Sequence, residues 1–261
     1  LKKKITKKTK VVIPVHMLGV GCDMKNLIKL TKKHGIKILE DNCEAFGAKY
    51  KNKYLGTLGD AGIISLDFGK VITTGEGGII LTNSKKTYEL SKQYHDHGHK
   101  NIKNIPRGLD KSDFAGFNYR MTEMQGVIGK VQLSKLKKII SLNKARYKEL
   151  YKNLSKEVVI RKNFEGHVGI FDTFIFKLRN KGEVKKVIKL LSKKGIGTKN
   201  IPDALKWHCS FYWKYMLSNR NIKNSKQTMF LLNQHIAIPI LVKKSKSFYK
   251  SLGLDIRELL N

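Results

Sequence analysis

The stretch that decides the fold is Ser65–Asn83, "SLDFGKVITTGEGGIILTN". It holds one lysine, Lys70, in a chain with 53 Lys+Arg. The run before it, "AGIIS", is apolar and β-branched, as is "GGIILTN" after it, so both read as strands. Between them lies a glycine-rich turn, Gly75-Glu76-Gly77-Gly78. Lys70 therefore sits beyond the end of a strand, in sequence with almost no charge.

Strand and helix signals alternate outward from this point. "VVIPVH" (11–16) is a β-branched run. "DMKNLIKLTKKHG" (23–35) is a helix with Asp23 as N-cap, Met24, Leu27 and Ile28 on one face, and Gly35 as its stop. "IKILE" (36–40) is a short strand ending at Asp41, and "KKTYELSKQYHDHG" (85–98) is helical until Gly98. This alternation predicts an α/β fold whose sheet is mostly parallel and covered by helices on both faces. Residues 121–154 read as one long helix with Thr122 as N-cap. Beyond it, "VVIRK", "DTFIFKLRN" and "AIPILV" are strand-like and "GEVKKVIKLLSKKG" is helical. The expected division is a large domain over 1–135, a bridging helix over 136–154 and a small C-terminal α+β domain over 155–261.

Composition narrows the function classes. The chain has 261 residues, 41% hydrophobic and 28% charged, with no apolar run long enough to span a bilayer and no signal peptide. Cys22, Cys43 and Cys209 form no CxxC pair, which favours free thiols in a reducing, cytoplasmic setting. A net charge of +33 raises nucleic-acid binding. However, the excess is lysine spread along helix faces, as in "KKVIKLLSKKGIGTK" (185–199), and arginine, which reads phosphate and guanine bidentately, is scarce. No helix-turn-helix, RNP or zinc-finger pattern is present, so no nucleic-acid partner and no membrane insertion are expected.

Ligands of open α/β sheets bind at the carboxyl ends of strands. Asp41, Ser65 and Lys70 fall there, and Asn118 lies just before the long helix. An acid, a hydroxyl and a lysine converging at strand ends is the pattern pyridoxal phosphate requires. The lysine bonds its aldehyde, the carboxylate keeps its pyridine nitrogen protonated, and hydroxyls and N–H groups hold its phosphate.

The same stretches resemble the DegT/DnrJ family of pyridoxal phosphate-dependent sugar aminotransferases. "SLDFGKVITTGEGG" has the family's serine, lysine and Gly-Glu-Gly-Gly turn at the right spacing, with Leu66 in place of the usual Phe. "LEDNCEAFGA", "GTLGDAGIIS", "YHDHGH" and "GFNYRMTEMQGVIGKVQL" follow other family motifs in order, covering residues 11–150 closely. The resemblance implies a three-layer large domain of the pyridoxal phosphate-dependent transferase type. It implies that Lys70 forms the Schiff base and then shuttles the proton as a neutral amine, a role that suits sparse charge around it. Asp41 would pair with the pyridine nitrogen and Ser65 would hold the phosphate. Glu44, where many members have Gln, would lie against the ring near its phenolic oxygen. Asn118 would reach the cofactor of the partner subunit, implying a homodimer with shared sites.

The family's phosphate-cradling segment lies upstream of this sequence, so the N-terminal part of the domain is expected to be missing. The amino donor implied is L-glutamate and the acceptor a keto sugar of cell-surface polysaccharide synthesis. "GIGTKNIPDALKWH" (195–208) resembles enzymes that convert the 8-oxo form of the lipopolysaccharide sugar KDO to 8-amino-KDO. That substrate is the favoured expectation, with Lys199, Trp207 and His208 lining the sugar site. The alternatives are a nucleotide-linked 4-keto-6-deoxyhexose, as in perosamine synthases, or a catalytically inactive truncated homologue that binds or senses. A family dehydratase would carry histidine in place of Lys70.

Other motifs carry less. "HDHGH" (95–99) lacks further ligands to close a metal site, so no metal is expected. The Gly-Glu-Gly-Gly turn has no Lys-Ser/Thr at Walker spacing. Cys43 has no histidine partner in the sequence and reads as a packing residue.

Overall fold

The computed structural model describes residues 1–218, 222–223 and 225–261. In chain order the main elements are β1 (Val11–Val12), α1 (Met24–Lys33), β2 (Lys37–Asp41), β3 (Lys49–Tyr50), β4 (Lys53–Tyr54), β5 (Ala61–Ser65), β6 (Gly78–Thr82) and α2 (Lys85–Tyr94). They continue with α3 (Glu123–Leu154), β7 (Val159–Ile160), β8 (His167–Val168), β9 (Thr173–Lys177), α4 (Lys181–Lys193), β10 (His235–Pro239) and a C-terminal helix, Lys246–Leu260. The chain divides into two compact units, residues 1–137 with 163–170, and residues 138–162 with 171–261.

The first unit is built on a four-stranded sheet in the order β1-β2-β5-β6. Local signals set its elements. The Asp23 side chain accepts the Asn26 N–H and starts α1, and Gly35 ends that helix at φ 63°. Helix α2 stops at Tyr94, short of the expected Gly98. Thr122 and Gln125 form a reciprocal cap at the start of α3: Oγ1 accepts the Gln125 N–H at 3.3 Å and Oε1 accepts the Thr122 N–H at 2.9 Å.

The expected mostly parallel sheet is corrected by the strand pairings. Among the described residues only the strand pairs β1–β2 and β2–β5 are parallel; β5–β6, β3–β4, β3–β8, β7–β9 and β9–β10 are antiparallel. For β5–β6 and β3–β4 the physical reason is that no helix crosses over between the strands. A parallel return needs a crossover of a dozen or more residues, usually a helix. Residues 66–77 between β5 and β6 form only a turn, and β3 and β4 are joined by Lys51 and Asn52 at φ 44° and 65°, a tight hairpin. Strand and helix signals alternate in the sequence, but several neighbouring strands have no helix between them.

Gly62, in the middle of β5, pairs with Glu40 on one side and Leu81 on the other. A Cβ there would stand 2.1 Å from the Gly56 carbonyl oxygen and 2.6 Å from its Cα. The loop 56–59 thus lies directly on the strand, which is possible only above a glycine.

The second unit packs an antiparallel sheet, β10-β9-β7, against helices. Its core joins Phe174 and Phe176 of β9, Ile236 and Ile238 of β10, Val187 and Leu191 of α4, Leu150 and Leu154 of α3, and Tyr249, Leu252 and Ile256 of the C-terminal helix. The buried Tyr249 hydroxyl donates to the Pro239 carbonyl at 3.0 Å and accepts the Leu241 N–H at 2.7 Å, so burial leaves it fully partnered.

The Gly62 contact yields a direct test. Gly62→Ala meets backbone rather than a flexible side chain, and it is expected to destabilise the chain by about 1–3 kcal/mol or more. Urea unfolding monitored by circular dichroism checks this; an unchanged midpoint would contradict the close approach.

Candidate active site

The parallel pair β2–β5 places Asp41 opposite Ile63, so Asp41 and Ser65 stand at the carboxyl end of neighbouring strands. Beyond Ser65 the chain enters the turn that holds Lys70. The Asp67 N–H donates to Ser65 Oγ at 3.2 Å, the Gly69 N–H to Asp67 Oδ1 at 2.8 Å and the Lys70 N–H to the Asp67 carbonyl at 3.1 Å. The turn closes where the Leu66 N–H meets the Gly77 carbonyl at 2.9 Å and the Thr74 N–H meets the Leu66 carbonyl at 3.0 Å. Gly77 has φ 156°, and a Cβ on it would lie 2.7 Å from Thr74 Oγ1. The glycine-rich segment thus closes the turn from which the lysine side chain projects.

Lys70 is not in an uncharged setting, contrary to what its neighbours in sequence suggest. Its Nζ stands 3.8 Å from Glu44 Oε1, with the two side chains 23% and 14% exposed. The other Glu44 oxygen accepts the Leu18 N–H at 3.1 Å, and the Glu44 carbonyl accepts the Gly19 N–H at 2.9 Å. Asp41 Oδ1 accepts the Cys43 N–H at 3.1 Å. Burial, with the Asp41 carboxylate beside it, pushes the Cys43 thiol up to about 12, so it is a thiol and not a nucleophile at neutral pH.

Two residues behind this cluster were not singled out from sequence. Glu40 and His16 have no exposed surface, and His16 Nε2 lies 3.0 Å from Glu40 Oε2. Glu40 also accepts the N–H groups of Gly56 at 2.8 Å and of Leu58 and Gly59 at 2.6 Å. Burial alone would raise the Glu40 carboxyl; the His16 hydrogen bond and the three backbone donors outweigh it and hold it below its ordinary range. The Cys22 N–H approaches His16 Nδ1 at 3.1 Å. A backbone N–H can only donate, so Nδ1 accepts and the ring hydrogen on Nε2 points at Glu40. The signal in sequence is an acid at a core-facing position of β2, in phase with the buried Ile38.

The other expected residues lie elsewhere. Asn118 is exposed and forms an isolated antiparallel bridge with Asp96. Among the described residues no hydrogen bond or ion pair joins it to Asp41, Glu44, Ser65 or Lys70. Lys199, Trp207 and His208 belong to the second unit. There Lys199 Nζ is bound by Asp172 Oδ2 at 2.5 Å, while Trp207 is 81% exposed and His208 is exposed. No group of three His, Cys, Asp or Glu among the described residues could hold a metal ion, and no helix is long and apolar enough to cross a membrane.

Next to Asn118, Asp96 organises the loop 95–120. Its Oδ1 accepts from Arg107 Nη2 and Arg120 Nη1, and its Oδ2 from Asn101 Nδ2 at 3.3 Å. Burial works to raise this carboxyl. Hydrogen bonds from Arg120 and Asn101 and the charges of Arg107 and Arg120 outweigh it and hold the carboxyl at about 2. A depressed carboxyl stabilises the fold above its unfolded value and loses that contribution as pH falls through its folded value. The arginines are 49% and 38% exposed, so screening limits the effect to about 1 kcal/mol. The stability difference between the wild type and Asp96→Asn is therefore expected to hold constant above pH ~5 and to shrink between pH ~4 and ~2. Urea midpoints across that range check it; a difference independent of pH would contradict the clamp.

Comparison with known proteins places this geometry. GDP-perosamine synthase of Escherichia coli O157:H7 is 38% identical over 166 residues, covering 62% of this chain and 43% of its own length. GDP-4-keto-6-deoxy-D-mannose 3-dehydratase of Yersinia pseudotuberculosis is 36% identical over 168 residues, covering 58% of this chain and 42% of its own. The chain thus spans less than half the length of these curated relatives. Among solved structures, the E. coli GDP-4-keto-6-deoxy-D-mannose-3-dehydratase with bound hydrated PLP superposes with a TM-score of 0.76 at 26% identity, covering 100% of this chain and 69% of that one. Helicobacter pylori PseC, an aminotransferase involved in the biosynthesis of pseudoaminic acid, gives 0.82 at 20% identity, with 100% and 69% covered, and shares the fold. The DegT/DnrJ/EryC1/StrS aminotransferase family matches residues 1–247, and the chain belongs to that family.

Proposed function

We propose that this chain carries the lysine-bearing part of a pyridoxal phosphate-dependent aminotransferase whose acceptor is a nucleotide-linked 4-keto-6-deoxyhexose. The observation that carries the proposal is the Lys70 amine, held in a glycine-closed turn beside the Glu44 carboxylate, with Asp41 and Ser65 at the carboxyl ends of the neighbouring strands. This donor set fits the cofactor: a primary amine for its aldehyde, the Asp41 carboxylate for its pyridine nitrogen, the Ser65 hydroxyl for its phosphate and Glu44 beside the ring. Bound there, pyridoxal phosphate supplies an electron sink for the pair left when the substrate carbon loses a proton.

The chain's own residues do the rest. Lys70 Nζ takes the proton from the substrate carbon and returns it, acting as general base and then acid. Retention of this lysine counts against both a dehydratase and an inactive homologue. Asn118 serves the cofactor of a partner subunit, which agrees with its exposure and its distance in hydrogen bonding from Lys70. The exposed apolar residues Phe117, Tyr119, Met124, Val127 and Val131 nearby suit burial in such a homodimer.

L-Glutamate is the amino donor in this proposal. The acceptor departs from the 8-oxo-KDO expected from residues 195–208. The relatives cited carry GDP-linked sugars in their names, and nothing among them points to KDO. Lys199, Trp207 and His208 remain proposed for sugar recognition, with Lys199 working through its ion pair to Asp172.

The test uses full-length protein loaded with pyridoxal phosphate. A visible absorption band is expected, bleached by L-glutamate and restored by GDP-4-keto-6-deoxymannose but not by 8-oxo-KDO. Lys70→Ala is expected to lose about 10²–10⁴-fold in turnover. A wild type without a band, or a Lys70→Ala protein of unchanged activity, would overturn the proposal.

A further inference from the structure

Lys70 faces Glu44, and Glu44 is also bonded from a third segment of the chain. Its Oε2 and carbonyl are bound by the N–H groups of Leu18 and Gly19, at 3.1 and 2.9 Å. These two residues lie in the segment 16–22, where Leu18 has φ 55°, a left-handed conformation that a leucine rarely adopts unaided. The segment is tied at its ends by one side chain. His16 Nδ1 accepts the Cys22 N–H at 3.1 Å, closing the turn, and His16 Nε2 donates to Glu40 at 3.0 Å, anchoring it. The same Glu40 carboxylate gathers three N–H groups from 56–59, and it directly precedes Asp41. One buried pair therefore fixes the loop on one side of the strand end and the turn on the other.

We infer that His16 and Glu40 are positioning residues: through the 16–22 turn they place the Glu44 carboxylate opposite the Lys70 amine. This deepens the proposed function and rests on it for its catalytic meaning, but the placement is a property of the chain without cofactor. Among the described residues no hydrogen bond or ion pair joins the pair to Lys70. Its effect passes through two backbone N–H groups, so it sets where Glu44 stands rather than taking part in any proton transfer at the substrate.

A readout on the cofactor-free chain isolates the inference. The Glu44 carboxylate stands 3.8 Å from Lys70 Nζ and occupies one approach to it, so moving the carboxylate away opens the amine to an electrophile. Labelling of Lys70 by an amine-reactive acylating reagent at one fixed pH, quantified by peptide mass spectrometry, is the measurement. His16→Gln keeps a donor toward Glu40 but loses the acceptor for Cys22, and His16→Phe loses both. Labelling of Lys70 is expected to rise about two- to fivefold in His16→Phe and less in His16→Gln. Glu44→Gln alone should give the same rise, and adding His16→Phe to it should give no more. Val187→Ala, a core change in the second unit, should leave Lys70 labelling unchanged while lowering stability.

A folded His16→Gln with wild-type labelling, or effects of His16 and Glu44 that multiply, would overturn the inference. Should His16→Phe not fold, His16→Gln and its combination with Glu44→Gln decide alone. A positive result here with no absorption band in the loaded protein would leave the positioning intact and remove the proposed enzymatic function, so the two fail separately.

Discussion

The Glu40 carboxylate has no exposed surface and four hydrogen-bond donors aimed at it: one imidazole N–H and three backbone N–H groups from a single loop. Removing a charge from water costs several kcal/mol, and only such complete satisfaction offsets it. What the arrangement provides is position. The loop 56–59 is drawn onto β5 so tightly that residue 62 must be glycine, and the 16–22 turn is drawn onto β2. Asp41, next in the chain, emerges at the one place where both are fixed. Stripping one partner from this group would strand the others in a dry interior, which is far more costly than losing the exposed pair between Lys37 of the same strand and Asp60.

The second constraint is the return from β5 to β6. A helix after β5 would have carried Lys70 along its first turns, facing wherever the helix faced. Instead the chain doubles back within residues 66–77, stitched by Asp67, Thr73 and Thr74, and the lysine projects from a closed loop at the strand end. The antiparallel pairing of β5 and β6 is thus tied to the site: it is what a short lysine-bearing turn requires.

Much of this was legible in sequence where the cause is local. Asp23 and Thr122 cap their helices through neighbours three residues away, and the elements around Lys70 follow from apolar runs bounded by glycines. Strand direction was not legible, because periodicity marks a strand without saying which way its neighbour runs. The His16–Glu40 pair was missed because its partners are 24 residues apart and each looks ordinary alone. The family resemblance put Glu44 and Lys70 at one site, but their ion pair was not legible, because the two are remote in the chain. The Lys199–Asp172 ion pair was not legible either, because its partners are 27 residues apart.

Lys70 differs from the chain's many other lysines by its setting, and the account stands or falls on that difference. The most direct measurement is borohydride reduction of the pyridoxal phosphate-loaded full-length protein, followed by peptide mapping. The account predicts a pyridoxyl group on Lys70 alone. A label spread over other lysines, or absent from Lys70, would contradict it.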